Sequence, residues 1–333
     1  MKKSISFLIV LVLVFVIIAA VLLNIKHPGN KKDGDKIQIV ATLFPQYDFA
    51  KQIGGDKVNV TLLLPPGTES HTYEPTPNDM VEINESDLFI FTGSEMEPWA
   101  ENLISGMKKD ITVLDLSKTV KLINTEEFEE EHEALEHEHH HDEDEAEEHE
   151  HHHEDGHHHT YDPHIWLNPQ YAIKMARSIE DELIRIDPEN ADYYKTNAEN
   201  YIKQIEDLDK EFEETVEHSK SKKLAFGGAF AYAYFVERYG LDFISAYETC
   251  GESAEPSTSQ IKEVIDYIKK NKIPVVFYKE YSTGNVAKTI SEATGAKMLV
   301  FNTVHNLSKE EIESGASYVS IMKQNLENLK QAL

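Results

Sequence analysis

The sequence predicts an α/β protein of two lobes, each built on a mainly parallel sheet, joined by one long rigid helix. Three observations carry that expectation. Short runs of apolar, β-branched residues alternate with helical patterns, as in strand–helix–strand units. The alternation breaks once in mid-chain and then resumes. Between the two halves lies a helical stretch too long for an ordinary connection. At 333 residues the chain also exceeds what one compact core usually holds.

In the first half, strands are expected at Ile37–Thr42, Val58–Leu64, Asp87–Gly93 and Ile111–Leu116. Helices are expected between them, at Pro45–Ile53, Pro77–Ser86 and Glu97–Lys108. A further helix, Asn168–Ile186, is stopped by Asp187-Pro188. Pro188 then suits the first turn of a second helix reaching about His218. There Tyr194, Tyr201, Ile205, Leu208, Phe212 and Val216 recur at three- and four-residue steps, so one face packs and the other is wet. About thirty residues of helix span roughly 45 Å, enough to brace both lobes. The second half offers strands at Lys222–Gly228, Asp242–Tyr247, Ile273–Lys279 and Ala296–Phe301. Ser308–Leu333 reads as one closing helix, opened by a Ser308/Glu311 capping box. The expected domains are 1–24 (export segment), 25–36 (polar tether), 37–125 with 161–187 (first lobe), 126–160 (disordered loop), 188–219 (linking helix) and 220–333 (second lobe).

Lys2 and Lys3 precede an apolar run from Ile5 to Leu23, the pattern of an export segment. Its length favours an uncleaved membrane anchor over a cleaved signal, with an exported body. No Cys follows it, so lipid attachment is not expected; the sole Cys is Cys250. One Cys also excludes a disulfide framework and a Cys-rich zinc module.

The chain carries 60 acidic against 32 basic residues, a net charge of −28, which argues against nucleic acid as a partner. The acidity is concentrated. Residues 126–159 hold 17 acids, 12 of the 17 histidines, and no Lys or Arg. Without apolar periodicity and with like charges crowded together, this tract is expected to be disordered. Its His132, His137, His139, His140, His141, His149, His151, His152, His153, His157, His158 and His159 can gather metal loosely, in many interchangeable geometries.

Five histidines lie elsewhere. His27 sits in the tether and His218 at a helix end, where a solvated imidazole is the simplest reading. His71, His164 and His305 fall in expected loops: LPPGTESHTYEPTP, YDPHIWLNP and FNTVHNLS. Loops beyond the carboxyl ends of strands build ligand sites in open α/β sheets. An imidazole there can be a metal ligand, a general base or a surface residue. Beside a His-rich tract, ligation is the reading we carry forward for these three.

The motifs LPPGTESHTYEPTPND, SDLFIFTGSEMEPW and DPHIWLNP, in this order, resemble the zinc- and manganese-binding proteins of bacterial metal ABC importers, in particular the high-affinity zinc-uptake branch. The resemblance covers roughly Ile37 to Leu333 and includes an acidic His-rich loop at the same place. It implies two α/β lobes joined by a long helix, a metal held between them, permease subunits of an ABC transporter as partners, and a monomer outside the cytoplasm. It also implies that His71 and His164 bind the metal. Two family ligand positions depart: they fall at Ala229, which has no donor, and at Asn302, a weak uncharged one. His305, three residues beyond Asn302, is the natural replacement. Cys250, Glu255 and Glu69 are minor candidates. Three imidazoles favour Zn2+ over Mn2+.

Capture and delivery of zinc, without catalysis, is therefore the leading expectation. One alternative is a surface metal buffer or adhesin acting through the tract. The other is a zinc hydrolase; no Glu or His of the candidate loops is obviously placed as a separate base.

Overall fold

The computed structural model describes residues 36–107, 111–137, 160–247 and 256–333. The expected export segment and nearly all of the tether lie outside these residues. Among the described residues no helix is long and apolar enough to cross a membrane.

All eight expected strands form. The first lobe runs β1 (Ile37–Ala41), α1 (Phe44–Gly54), β2 (Val58–Leu62), α2 (Pro77–Glu85), β3 (Leu88–Phe91), α3 (Pro98–Gly106), β4 (Thr112–Asp115) and α4 (Thr125–His137). The paired helices α5 (Pro169–Ile186) and α6 (Ala191–Glu217) follow. The second lobe runs β5 (Lys223–Phe226), α7 (Ala233–Tyr239), β6 (Asp242–Ser245), α8 (Thr258–Asn271), β7 (Val275–Tyr278), α9 (Asn285–Thr294), β8 (Lys297–Val300), α10 (Lys309–Glu313) and α11 (Tyr318–Ala332). Each lobe has a four-stranded parallel sheet, in the orders β2-β1-β3-β4 and β6-β5-β7-β8. The lobes thus repeat one topology. In each, strand order reverses beside the first strand, so the loops leaving β1 and β3, and those leaving β5 and β7, diverge and open a crevice.

Burial explains the strands. All four residues of β3 (LFIF) are buried, as expected of a parallel strand covered on both faces. The long helix behaves as its periodicity requires. Tyr194, Tyr201, Ile205, Leu208, Phe212 and Val216 are all buried, and the intervening charges are wet except Asp209, which is buried against Arg238. Its 27 residues make about 40 Å at 1.5 Å each.

One apolar cluster runs through both lobes, from Ile37 and Phe49 through Trp166, Phe212 and Phe235 to Tyr318 and Leu329. Polar contacts stitch the same seam. Phe44 N donates to His305 O at 3.0 Å, and Gly67 N to Leu307 O at 2.9 Å. Trp166 Nε1 donates to Thr303 O at 2.6 Å, and the Tyr318 hydroxyl to Trp166 O at 2.7 Å. Asn306 Nδ2 bridges Pro65 O and Thr68 O at 2.7 and 2.8 Å.

Two expectations are corrected. The closing helix is two helices, α10 and α11, because Gly315 at φ 78° ends the first and Ser317 caps the second anew. The tract is not disordered from its start: α4 carries it to His137. Glu126 and Glu127 suit the first turn of a helix, and the nearly buried Phe128 stacks on Phe230 and Phe243 at 6.4 and 5.9 Å. One apolar anchor is enough to order the acidic turns around it.

A polar network is buried at the carboxyl ends of β1 and β3. Glu97 accepts from Thr92 N at 3.0 Å and meets the Thr42 hydroxyl. That hydroxyl donates to Gln46 Oε1 at 2.8 Å, and Gln46 Nε2 reaches the Thr92 hydroxyl. Burial pushes the Glu97 carboxyl up to about 8, so at neutral pH it keeps its proton and can donate it to Thr42.

Two tests follow from the fold. The unfolded chain releases the Glu97 proton near 4.5, the native chain near 8. Stability is therefore expected to fall as pH rises through that window, by at most about 1.4 kcal/mol per pH unit. Glu97→Gln keeps the bonds without the ionisation and should flatten that slope in urea unfolding at pH 5 and pH 8; an unchanged slope would contradict a protonated Glu97. Phe212→Ala is expected to cost about 3–5 kcal/mol. Because the core is shared, circular dichroism and tryptophan fluorescence should still report one transition, whereas two separated transitions would refute the shared core.

Candidate metal site

The candidate residues come from both lobes: His71 and His305 from loops at the carboxyl ends of β2 and β8, and His164 from the segment that leads into α5. His71 lies in the loop after β2. Gly67 adopts φ 72°, a left-handed conformation that glycine enters without strain, and the Asn306 clamp holds the loop's first half. Tyr73 closes its second half, donating to Asp79 Oδ2 at 2.7 Å, within the α2 cap. The loop is stiff, as its prolines require, and presents a half-buried imidazole.

His164 is only 1% exposed. Asp162 Oδ1 accepts from His164 N at 2.7 Å and lies 2.9 Å from its Nδ1. A carboxylate accepts only, so the ring proton belongs on Nδ1 and the Nε2 lone pair is left for a ligand. The His71 and His164 rings stand 5.3 Å apart, and Trp166 lies 5.5 Å from His164 on its other side.

His305 is 2% exposed. Its Nδ1 meets the Thr303 hydroxyl, which donates onward to Glu280 Oε1; that oxygen is also 3.4 Å from Nδ1. Thr303 N fixes the same carboxylate through Oε2 at 2.8 Å. The arrangement again places the ring proton on Nδ1. Nε2 is buried with no hydrogen-bond partner, and Glu69 Oε1 lies 4.0 Å from it. Burial lowers the imidazole to about 3, so it is neutral, the only form that can bind a metal. Val304, next to it, is a buried β-branched residue at φ 63°, a strained conformation that the surrounding bonds impose.

Glu69 links the His71 loop to His305. Its Oε2 accepts from the Lys279 ammonium at 2.9 Å, its Oε1 approaches His305, and it shares its loop with His71. Burial would raise its carboxyl, but the charge and hydrogen bond of the Lys279 ammonium oppose that, and the carboxyl is held below the ordinary carboxylate range. Among the described residues no group of three His, Cys, Asp or Glu side chains stands close enough together to hold a metal ion. The cation presently against Glu69 is Lys279.

The remaining candidates divide. Asn302 spends its Oδ1 on Val304 N at 2.6 Å and shapes the His305 turn instead of offering a donor. Ala229 is buried just beyond β5 and contributes no polar side-chain atom. Cys250 and Glu255 lie outside the described residues, as do the tract histidines from His139 to His159. His132 is described and is not free-swinging: its ring packs on Phe128 and Phe243 at 4.4 and 4.9 Å. A surface hollow of about 690 Å3 beside α6, lined by Gln170, Asp209 and Arg238, contains none of the site histidines. Sequence reasoning missed Lys279 and Glu280. The available signal was two charged residues at the carboxyl end of the apolar run IPVVFY, next to the point where strand order reverses.

Residues 39–332 match the family described as zinc-uptake complex component A, periplasmic. The chain is 35% identical to the high-affinity zinc uptake system protein ZnuA of Bacillus subtilis, over all of this chain and 99% of that one. It is 34% identical to the zinc-binding lipoprotein AdcA of Streptococcus pneumoniae over 91% of this chain, spanning 57% of AdcA's length. The Zn(II)-bound ZnuA-like domain of that AdcA superposes with a TM-score of 0.71 at 31% identity, covering 90% of this chain and 99% of the domain. With its two parallel-sheet lobes and long helix, the chain belongs to the periplasmic zinc-uptake component A family.

Proposed function

We propose that this protein captures Zn2+ between its lobes with His71, His164 and His305, outside the cytoplasm, and delivers it to the permease of an ABC importer. The observation that carries the reading is a shared device in two distant loops. His164 and His305 each have Nδ1 held by a polar partner, which directs the Nε2 lone pair to an ion. Imidazole donors suit zinc, and three of them leave room for a further oxygen ligand. Glu69 is the nearest such oxygen to His305 Nε2. Nothing in this reading requires a chemical reaction. Capture needs neutral imidazoles and stiff loops; release needs one of them withdrawn.

The continuous core supports small movements between the lobes over wide hinge closure. The tract begins near the site, because Asn124 bridges Tyr161 and Asp162 N donates to Ile123 O at 3.0 Å, two residues before His164. Its histidines would raise the local supply of zinc without forming one defined site.

Trp166, 5.5 Å from His164, gives a fluorescent reporter of this region once Trp99, the chain's other tryptophan, is replaced by Phe. Zinc titration of the whole chain is expected to show one tight event, lost in His71→Ala, His164→Ala and His305→Ala. Asp162→Asn keeps every ligand but unpins His164, and should weaken zinc about 10–100-fold. Tight, tryptophan-reported binding that survives His71→Ala and His164→Ala would overturn the assignment.

A further inference from the structure

Lys279 follows β7, and its side chain is only 5% exposed. Its ammonium lies 2.9 Å from Glu69, a residue of the opposite lobe. The other Glu69 oxygen is 4.0 Å from His305 Nε2, which is buried and has no hydrogen-bond partner. One carboxylate therefore stands between a buried cation and the nitrogen positioned for a metal. An ion bound to that nitrogen would be a second positive charge within a few ångströms of Lys279, drawing on the same carboxylate. Lys279 and His305 are both buried while Glu69 keeps 39% of its side chain exposed, so the two cations would compete at short range for one partly shielded carboxylate. The pair is also a poor candidate for a purely structural role, since burying the Lys279 charge costs desolvation that a part-exposed partner only partly returns.

We propose that Lys279 is a built-in rival cation: it neutralises Glu69 in the metal-free protein and is displaced when a divalent cation takes that carboxylate. The inference rests on the inter-lobe site described above. The exchange has two consequences. An entering ion must hold Glu69 better than an ammonium does, which selects divalent over monovalent cations. Release is eased, because Lys279 is tethered beside the site and can reclaim Glu69 as the ion departs. Lys279 is thus a positioning and specificity residue that never touches the metal.

The test uses the full chain, with zinc affinity measured by competition with a chromophoric chelator and Trp166 fluorescence confirming the site. Removing the charge in Lys279→Met, and independently in Lys279→Gln, is expected to tighten zinc by about tenfold or more. Lys279→Arg, which keeps the charge, should bind within about threefold of the parent. Glu69→Gln should weaken zinc and shrink the gain from Lys279→Met. If both neutral variants keep a His71-dependent tryptophan response but bind zinc no more tightly than the parent, this proposal fails and the site reading stands. If no variant, nor the parent, shows a His71-dependent response, the site reading fails and takes the proposal with it.

Discussion

The indole of Trp166 is the point on which the architecture turns. It is fully buried where the two lobes meet, donates to the Thr303 carbonyl at 2.6 Å, and its own carbonyl accepts from Tyr318 at 2.7 Å. His164 stands two residues before it, and His305 two residues after its acceptor. One side chain therefore fixes the distance between loops that lie far apart in the sequence. Tyr318 extends the connection to the first lobe, since its backbone N donates to the buried Asp48 carboxylate at 2.8 Å. Because apolar core and polar stitching coincide, the lobes cannot separate without exposing both. The site is built on a rigid frame, and rigidity at its rim follows from that frame as much as from the prolines of the His71 loop.

The site's electrostatics are organised around one neutral imidazole, that of His305, in a charged setting. A buried His305 cannot afford a proton, and the Thr303–Glu280 pair keeps its remaining hydrogen on the nitrogen that faces away from the ion. The strain at Val304 is offset by the bonds around it, including the one from its own N to Asn302. Asn302 thus supports the geometry of a ligand without being one. Glu69, a residue of the first lobe, meets the charge of Lys279 from the second, and the identity of its partner distinguishes the metal-free arrangement from a loaded one.

Much of this was legible in the sequence. Strands announced themselves because parallel strands covered on both faces are nearly continuous apolar runs, as LFIF shows. The long helix was legible because its buried residues keep helical spacing over its whole length. The three histidines emerged once tract, tether and helix end were set aside. What was hidden depended on tertiary contacts. No local pattern says that Phe128 would find Phe230 and Phe243, so the acidic turns around it read as disorder. Gly315 breaks a helix whose apolar spacing runs on past it. Lys279 and Glu280 read as ordinary charges after a strand, because their roles arise only from what the opposite lobe and the β8 loop place against them.

The central claim is that one ion is held jointly by both lobes. A crystal structure of the full chain loaded with one equivalent of Zn2+, with the ion located by its anomalous scattering, tests it most directly. The expected result is one ion about 2.0–2.1 Å from imidazole nitrogens of His71, His164 and His305. An ion bound by the first lobe alone, without His305, or an ion held only by tract histidines, would contradict it.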